Sequence, residues 1–241
     1  MRFGIISDIH ANLVALQAVL EDMGDVDQYW CLGDVVGYGP QPNECIDLLR
    51  ELDHVVVMGN HDAAAAGVIS MREFNSDARR SIQWTIRQLR DDNMKYLKEM
   101  PEHLEHEHVY LVHGSPSDPI WEYILTPEQA QEAFNFTKQQ IIFVGHSHIQ
   151  MVFAHRKEGE PIAGRPEDDY ALRIGSNRML INPGSVGQPR DGDPRAAYAI
   201  LDVDRELIEF HRVQYDIEKT QQMMRAIGSS EWLIQRLSYG R

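Results

Sequence analysis

Cysteine is nearly missing from this 241-residue chain, with Cys31 and Cys45 the only two. Neither a metal-site spacing nor a disulfide framework can be drawn from them, which argues against a cross-linked secreted scaffold and against a thiolate zinc site. Tyr29, Trp30 and Leu32 make the surroundings of Cys31 read as a buried strand, so its thiol is a small core group. Basic residues are also scarce: 23 Lys and Arg stand against 37 Asp and Glu, a formal charge of −14. That balance argues against nucleic acid as a stable partner and against an anionic membrane surface. Long apolar runs are absent as well. Nothing approaches the roughly 20 residues of a membrane span, and the apolar start at residues 3–6 is broken by Asp8 and His10, unlike a signal peptide. These absences point to the cytoplasm. They also mean that any phosphate-binding site must create its own positive field, which bound metal ions can supply.

What the chain has is an ordinary globular composition, 43% hydrophobic and 25% charged, enough for a substantial core. Residues 2–7 read as a buried strand. Residues 11–23 place Leu13, Leu16, Val19 and Leu20 on one face of a helix. A strand at about 28–32, a helix at 42–52 opened by Pro42 and a strand at 55–58 follow. This alternation predicts parallel βαβ units. From about 61 to 100 the pattern is helical, with Ile82, Ile86 and Leu89 spaced as one apolar stripe. The segment holding His103, His106 and His108 is interleaved with Glu102, Glu105 and Glu107 and reads as solvated surface. Strands at 109–112 and 141–144 flank a proline-containing loop and a short helix near 128–136. Beyond 149 the chain changes to short strands near 149–155, 170–174, 179–182, 196–203 and 207–213, separated by turn residues. Two closing helices are expected at about 216–227 and 230–238. The whole predicts one α/β domain over residues 1–241, with a helical insert at about 63–100, parallel pairing at its front and antiparallel pairing at its back.

The chemistry lies in where polar residues fall. Asp8 and His10 follow the first strand and Asp34 the second. Asn60, His61 and Asp62 close the third, His113 ends the strand 109–112, and His146 and His148 follow the strand 141–144. Taken singly, each has a plain structural role. Asp8 or Asn12 suits a helix N-cap, and Asn60 suits a turn. Five strand ends bearing potential ligands are harder to explain that way, because the carboxyl ends of strands are where α/β sites assemble. Two carboxylates, several imidazoles and an amide oxygen form a mixed N/O set suited to Mn, Fe, Zn, Ni or Co. One bridging carboxylate would hold two ions about 3.5–4 Å apart, the spacing that clamps both oxygens of an in-line displacement at phosphorus.

The set Asp8-x-His10, Gly33-Asp34, Gly59-Asn60-His61-Asp62, His113-Gly114 and Gly145-His146-Ser147-His148 resembles the calcineurin-like metallophosphoesterases, in family order and across residues 4 to about 190. The resemblance implies two packed mixed β-sheets flanked by helices, a four-layer α/β/β/α sandwich. It also implies two divalent metal ions. Asp8, His10 and His148 look like ligands of one, Asn60, His113 and His146 of the other, and Asp34 looks like the bridge. Gly33-Asp34-Val35-Val36-Gly37-Tyr38-Gly39-Pro40 and Asn182 to Arg190 are similar to the small bacterial and archaeal phosphodiesterase-like members. Protein Ser/Thr phosphatases carry an Asp-Arg pair where this chain has Gly37-Tyr38, which argues against that activity.

The expected function is therefore metal-dependent hydrolysis of small phosphate esters, nucleotides among them, by a water activated between the ions. The leading form is a phosphodiesterase. A phosphomonoesterase and a dinucleoside polyphosphate hydrolase are the alternatives within the class, and an inactive interaction scaffold is the alternative outside it. His61 is the candidate acid for the leaving oxygen, and Asp62 the candidate to orient it. Arg190, Tyr38 and Trp121 are candidate substrate contacts, with Tyr123 beside Trp121 as a stacking surface.

Overall fold

The computed structural model describes residues 1–156 and 158–241. Strands β1 (Arg2–Ile6), β2 (Gln28–Cys31) and β3 (His54–Val56) pair in parallel, with Phe3 opposite Gln28 and Tyr29 opposite His54. Helices α1 (Leu13–Met23) and α2 (Pro42–Glu51) form the two crossovers. Asn12 caps α1, its side chain accepting from the Ala15 N–H at 3.2 Å, and Pro42 opens α2 where no N–H is needed. After β3 come α3 (Asn60–Ala65), a 3₁₀ turn at Met71–Glu73, α4 (Ser76–Gln88) and α5 (Asp91–Glu99). Strands β4 (His103–His106) and β5 (Val109–Val112), helix α6 (Pro127–Phe136) and strand β6 (Ile141–Phe143) follow. Next are β7 (Gln150–Ala154), β8 (Ile162–Gly164), β9 (Tyr170–Arg173), β10 (Met179–Pro183), β11 (Ala196–Asp202) and β12 (Leu207–Val213). Helices α7 (Ile217–Ala226) and α8 (Glu231–Arg236) complete the order.

The strands form two six-stranded sheets in the orders β3-β2-β1-β11-β12-β9 and β4-β5-β6-β10-β7-β8. Both are mixed. In the second, β6 runs parallel to β5 and to β10, while β4, β7 and β8 are antiparallel to their neighbours. Phe3 and Ile5 alternate with Gly4 and Ile6 along β1, as the two-residue strand period requires. Phe3 and Ile5 pack with Trp30, Leu111, Phe143, Ile181 and Phe210 between the sheets. Ile6 joins the layer formed with Leu16, Val19, Ile46, Ile82 and Met224 under the helices. On the far face of the second sheet Tyr110, Ile142, Phe153 and Leu180 pack against Ala130, Ala133 and Phe134 of α6. The result is the expected four layers of helix, sheet, sheet and helix.

Four details depart from the sequence reading. The buried face of α4 is Ala78, Ile82 and Thr85, while Ile86 lies on the exposed side. The helix stops at Gln88, and Leu89 serves as its C-cap, so the stripe 82/86/89 never forms. The segment around His103 and His106 is a strand with mostly exposed side chains, paired at the edge of the second sheet. Its charge concealed it, because edge strands are commonly polar on both faces. Strand β8 was not anticipated. Finally, the five ligand-bearing strand ends do not share one sheet. Three belong to the first and two to the second, and they meet where the sheets lie together.

Candidate metal centre

Seven of the non-glycine residues at these strand ends have left-handed backbone: Asp8 (φ 53°), His10 (48°), Ala11 (52°), Asp34 (52°), Tyr38 (56°), His146 (63°) and His148 (59°). For residues with a Cβ this conformation is uncommon, and it clusters at functional sites where the surroundings enforce it. Here the enforcement is visible. Asp8 N–H donates to the Gly33 carbonyl at 3.0 Å and His10 N–H to the Asp34 carbonyl at 2.8 Å, tying the first loop to the second. The loop after β10 closes over both. Ser185 Oγ donates to the Asp8 carbonyl at 2.8 Å, as does the Gly187 N–H at 2.9 Å.

Side chains from all five loops converge. Asp8, His10, Asp34 and His148 form one group of ligand atoms, and Asp34, His113 and His146 form another; within each group all lie within 4.8 Å of one another. Asp34 is common to both, its Oδ2 lying 3.5 Å from His10 Nε2 and 3.5 Å from His113 Nε2. Each carboxylate is held by one oxygen only. Asp8 Oδ2 accepts from Ser7 Oγ at 2.7 Å and His146 N–H at 3.2 Å, and Asp34 Oδ1 accepts from His61 N–H at 2.8 Å. Asp8 Oδ1 and the amide oxygen of Asn60 are buried without a hydrogen-bond partner.

The imidazoles tell the same story. His10 Nδ1 donates to the Val36 carbonyl, His113 Nδ1 to Leu32, His148 Nδ1 to Gln188 and His146 Nε2 to Trp121, at 3.2, 2.8, 2.6 and 3.2 Å. With the proton fixed on the outer nitrogen, the inner nitrogen of each ring is a bare lone pair. Those inner nitrogens face each other at 3.1 Å, His10 Nε2 to His148 Nε2 and His113 Nε2 to His146 Nδ1. Burial and the Arg190 charge push His148 down to about 4, and burial lowers His113 and sends His10 and His146 further below the usual range. All four rings are therefore neutral near pH 7, as candidate metal donors must be. Asp34 is driven well up by burial and by the negative charges of Asp62 and Asp8. Lone pairs facing lone pairs, with two unsatisfied oxygens beside them, fit divalent cations held between them.

His61 is buried with its Nδ1 unpartnered. Gly37 (φ +92°) explains this: a Cβ there would lie 2.2 Å from His61 Nδ1, so backbone seals that side of the ring. The expected partnership with Asp62 is absent. The Asp62 carboxylate accepts instead from the N–H groups of Val35, Val36 and Gly59 at 3.2, 3.1 and 3.1 Å, and burial raises it to about 6. It braces the second and third loops against each other.

A cavity of about 310 Å³ opens onto the cluster, lined by Asp34, Asn60, His61, His146 and His148 and by Tyr38, Trp121 and Arg190. Tyr123 also lines it, stacking on the His146 ring at 3.9 Å. Trp232 and Arg236 of α8 and Phe74 complete the wall. Nothing in the sequence marked these three, because α8 reads simply as an amphipathic closing helix far from any ligand. A second, apolar cavity of about 250 Å³ at the opposite ends of the strands, beside Phe3, Trp30 and Ile141, holds none of the candidate ligands.

Two packed sheets carrying a mixed N/O cluster at their joined edge define a metal-dependent phosphoesterase, a hydrolase of phosphate esters. The chain belongs to the calcineurin-like phosphoesterase superfamily, whose domain matches residues 1–206. It is similar to the crystal structure of a metallophosphoesterase from Sphaerobacter thermophilus, at 46% identity and a TM-score of 0.92, covering 100% of this chain and 99% of that one. An uncharacterised protein of Methanocaldococcus jannaschii is 41% identical across 98% of this chain and 97% of its own length. A symmetrical bis(5'-nucleosyl)-tetraphosphatase of Vibrio parahaemolyticus is 26% identical over 133 residues, 53% of this chain and 49% of that protein.

Proposed function

We propose that this chain is a binuclear metallophosphodiesterase of small substrates, folded as one domain over residues 1–241 and acting in the cytoplasm. One observation carries the reading. The inner nitrogens of His10 and His148 on one side, and of His113 and His146 on the other, stand as bare pairs about the unheld oxygen of Asp34. In this reading Asp8, His10 and His148 hold one ion, Asn60, His113 and His146 the other, and Asp34 bridges them. When bound, the ions supply Lewis acidity and a positive field that an acidic protein otherwise lacks.

The chain's own residues supply the rest. With His61 Nδ1 lacking an acceptor, the ring proton resides on Nε2, the nitrogen left for the cavity. Burial and Arg190 hold the imidazole neutral, so Nε2–H donates a hydrogen bond that stabilises the charge growing on the leaving oxygen as the P–O bond opens, and the ring keeps its one proton. The Arg190 guanidinium holds a non-bridging phosphate oxygen, and Tyr38 packs against His10 and His61 at 4.7 and 4.4 Å, fixing both rings. Trp121 and Tyr123 offer faces to an aromatic leaving group. The Vibrio parahaemolyticus relative supports a dinucleoside polyphosphate as a second reading.

The test is hydrolysis of bis(p-nitrophenyl) phosphate against p-nitrophenyl phosphate by protein reconstituted with Mn, Ni, Fe or Zn. Faster turnover of the diester is expected. Turnover of neither with any of these metals overturns the proposal.

A further inference from the structure

The last helix lies beyond residue 206, where the family's domain match ends, yet it brings Arg236 into the same cavity as Arg190. Several arginines of this acidic chain hold carboxylates, Arg50, Arg90, Arg195, Arg205 and Arg212 among them, while others, such as Arg178, donate only to backbone carbonyls. Arg190 donates to Gln188 Oε1 from Nη2 and Nε at 2.8 and 3.3 Å, and Arg236 Nε donates to the carbonyl oxygen of Arg241. Among the described residues neither pairs with an Asp or Glu side chain, although Glu73 lines the same cavity. Aromatic faces support them instead, Tyr38 under Arg190 and Trp232 under Arg236, each ring centroid 5.9 Å from the guanidinium carbon. Burial and the neighbouring Arg190 charge lower Arg236 to about 10, so the pair repels across the cavity.

Two half-buried cations that share one cavity, neither paired with the Asp34 or Glu73 carboxylates that also line it, are arranged for an anion that comes from outside. The scissile phosphoryl group must sit on the metal ligands, and one arginine suffices to grip it. The second fork has no partner in a substrate with a single phosphorus. We propose that Arg190 and Arg236 form a second phosphate subsite beside the metal centre, so that the enzyme acts on esters with an adjoining phosphoryl group, the di- and polyphosphate esters. This rests on the hydrolase reading above and names its substrate class. Arg236 is then a specificity-determining residue, because a planar fork holds two phosphate oxygens at once.

Calorimetric titration of the full-length protein in saturating Mn²⁺ tests this, using imidodiphosphate, which resists hydrolysis, and inorganic phosphate. The wild type should bind imidodiphosphate at least about tenfold more tightly than phosphate, and Arg236→Gln should lower that ratio about tenfold. Arg236→Lys should lower it about threefold, since an ammonium group cannot reproduce the fork; it carries the test if the Gln variant fails to fold. Equal affinities in the wild type, or a ratio untouched by either substitution, would overturn the subsite. Turnover of bis(p-nitrophenyl) phosphate, which has one phosphorus, separates the two claims. A preserved imidodiphosphate preference without turnover removes the hydrolase reading and keeps the subsite, whereas turnover without the preference removes the subsite alone.

Discussion

Asp62 turns its carboxylate under the backbone of Val35, Val36 and Gly59, while the adjacent His61 ring points toward the cavity with its Nδ1 against Gly37. The two residues should therefore fail in different ways when altered. Asp62→Ala strands three buried N–H groups, and at about 1–3 kcal/mol for each unsatisfied group the loss of stability should reach about 3 kcal/mol or more in chemical denaturation. A loss within about 0.5 kcal/mol would show that water replaces the brace. His61→Ala should fold normally and keep its metal, as read by elemental analysis, while kcat on the diester falls about 10²–10⁴-fold. Metal loss in that variant would make His61 a ligand or the support of one. The pairing of His61 with Asp62 expected from adjacency failed because helix α3 begins at Asn60. Successive side chains on a helix point about 100° apart, so neighbours in sequence do not face each other.

Loops after strands, more than the strands themselves, decide this site, and one ion pair outside the candidate metal cluster holds the loop after β10. Arg212 of β12 donates to both oxygens of Asp191, from Nη1 at 3.0 Å and from Nη2. Asp191 in turn accepts from Gln150 N–H at 3.3 Å. Both side chains are more than nine-tenths buried. Arg212→Met should destabilise the protein by about 3–5 kcal/mol, because it leaves a buried carboxylate alone; the double change Arg212→Met with Asp191→Leu should recover much of that loss. At this scale the sequence was informative where period and chemistry coincide. The strand ends at Asp8, Asp34, Asn60, His113 and His146 were legible because apolar runs stop at polar residues, all but Asp8 beside a glycine. Edge strands β4 and β8 were not, since exposed strands need no apolar face. The contribution of α8 was equally invisible. A residue enters a cavity through tertiary packing, and Arg236 carries no local signal for its meeting with Arg190.

Across the whole molecule, the buried neutral imidazoles and the buried carboxylates beside them make stability depend on protons and metal together. His148 takes a proton near 6.5 when unfolded and only near about 4 when folded, so between those values the unfolded state binds more protons and stability falls as pH drops. His10, His113 and His146 act in the same direction. Asp62, raised to about 6 from 3.8, and Asp34, raised well above its usual range, oppose them only in part, so the metal-free protein should lose melting temperature as pH falls from about 6.5 towards 4. A melting temperature that rises over that interval would contradict neutral burial of the histidines. Adding Mn²⁺ at neutral pH should raise it, because the ion binds the folded state and unfolded ligands are scattered. Among the described residues no helix is long and apolar enough to cross a membrane. The most direct test of the central claim is anomalous diffraction from crystals grown with Mn²⁺. The account predicts two peaks about 3.5–4 Å apart, one among Asp8, His10 and His148, the other among Asn60, His113 and His146, with Asp34 between them. A single peak, or a pair that Asp34 does not join, would contradict it.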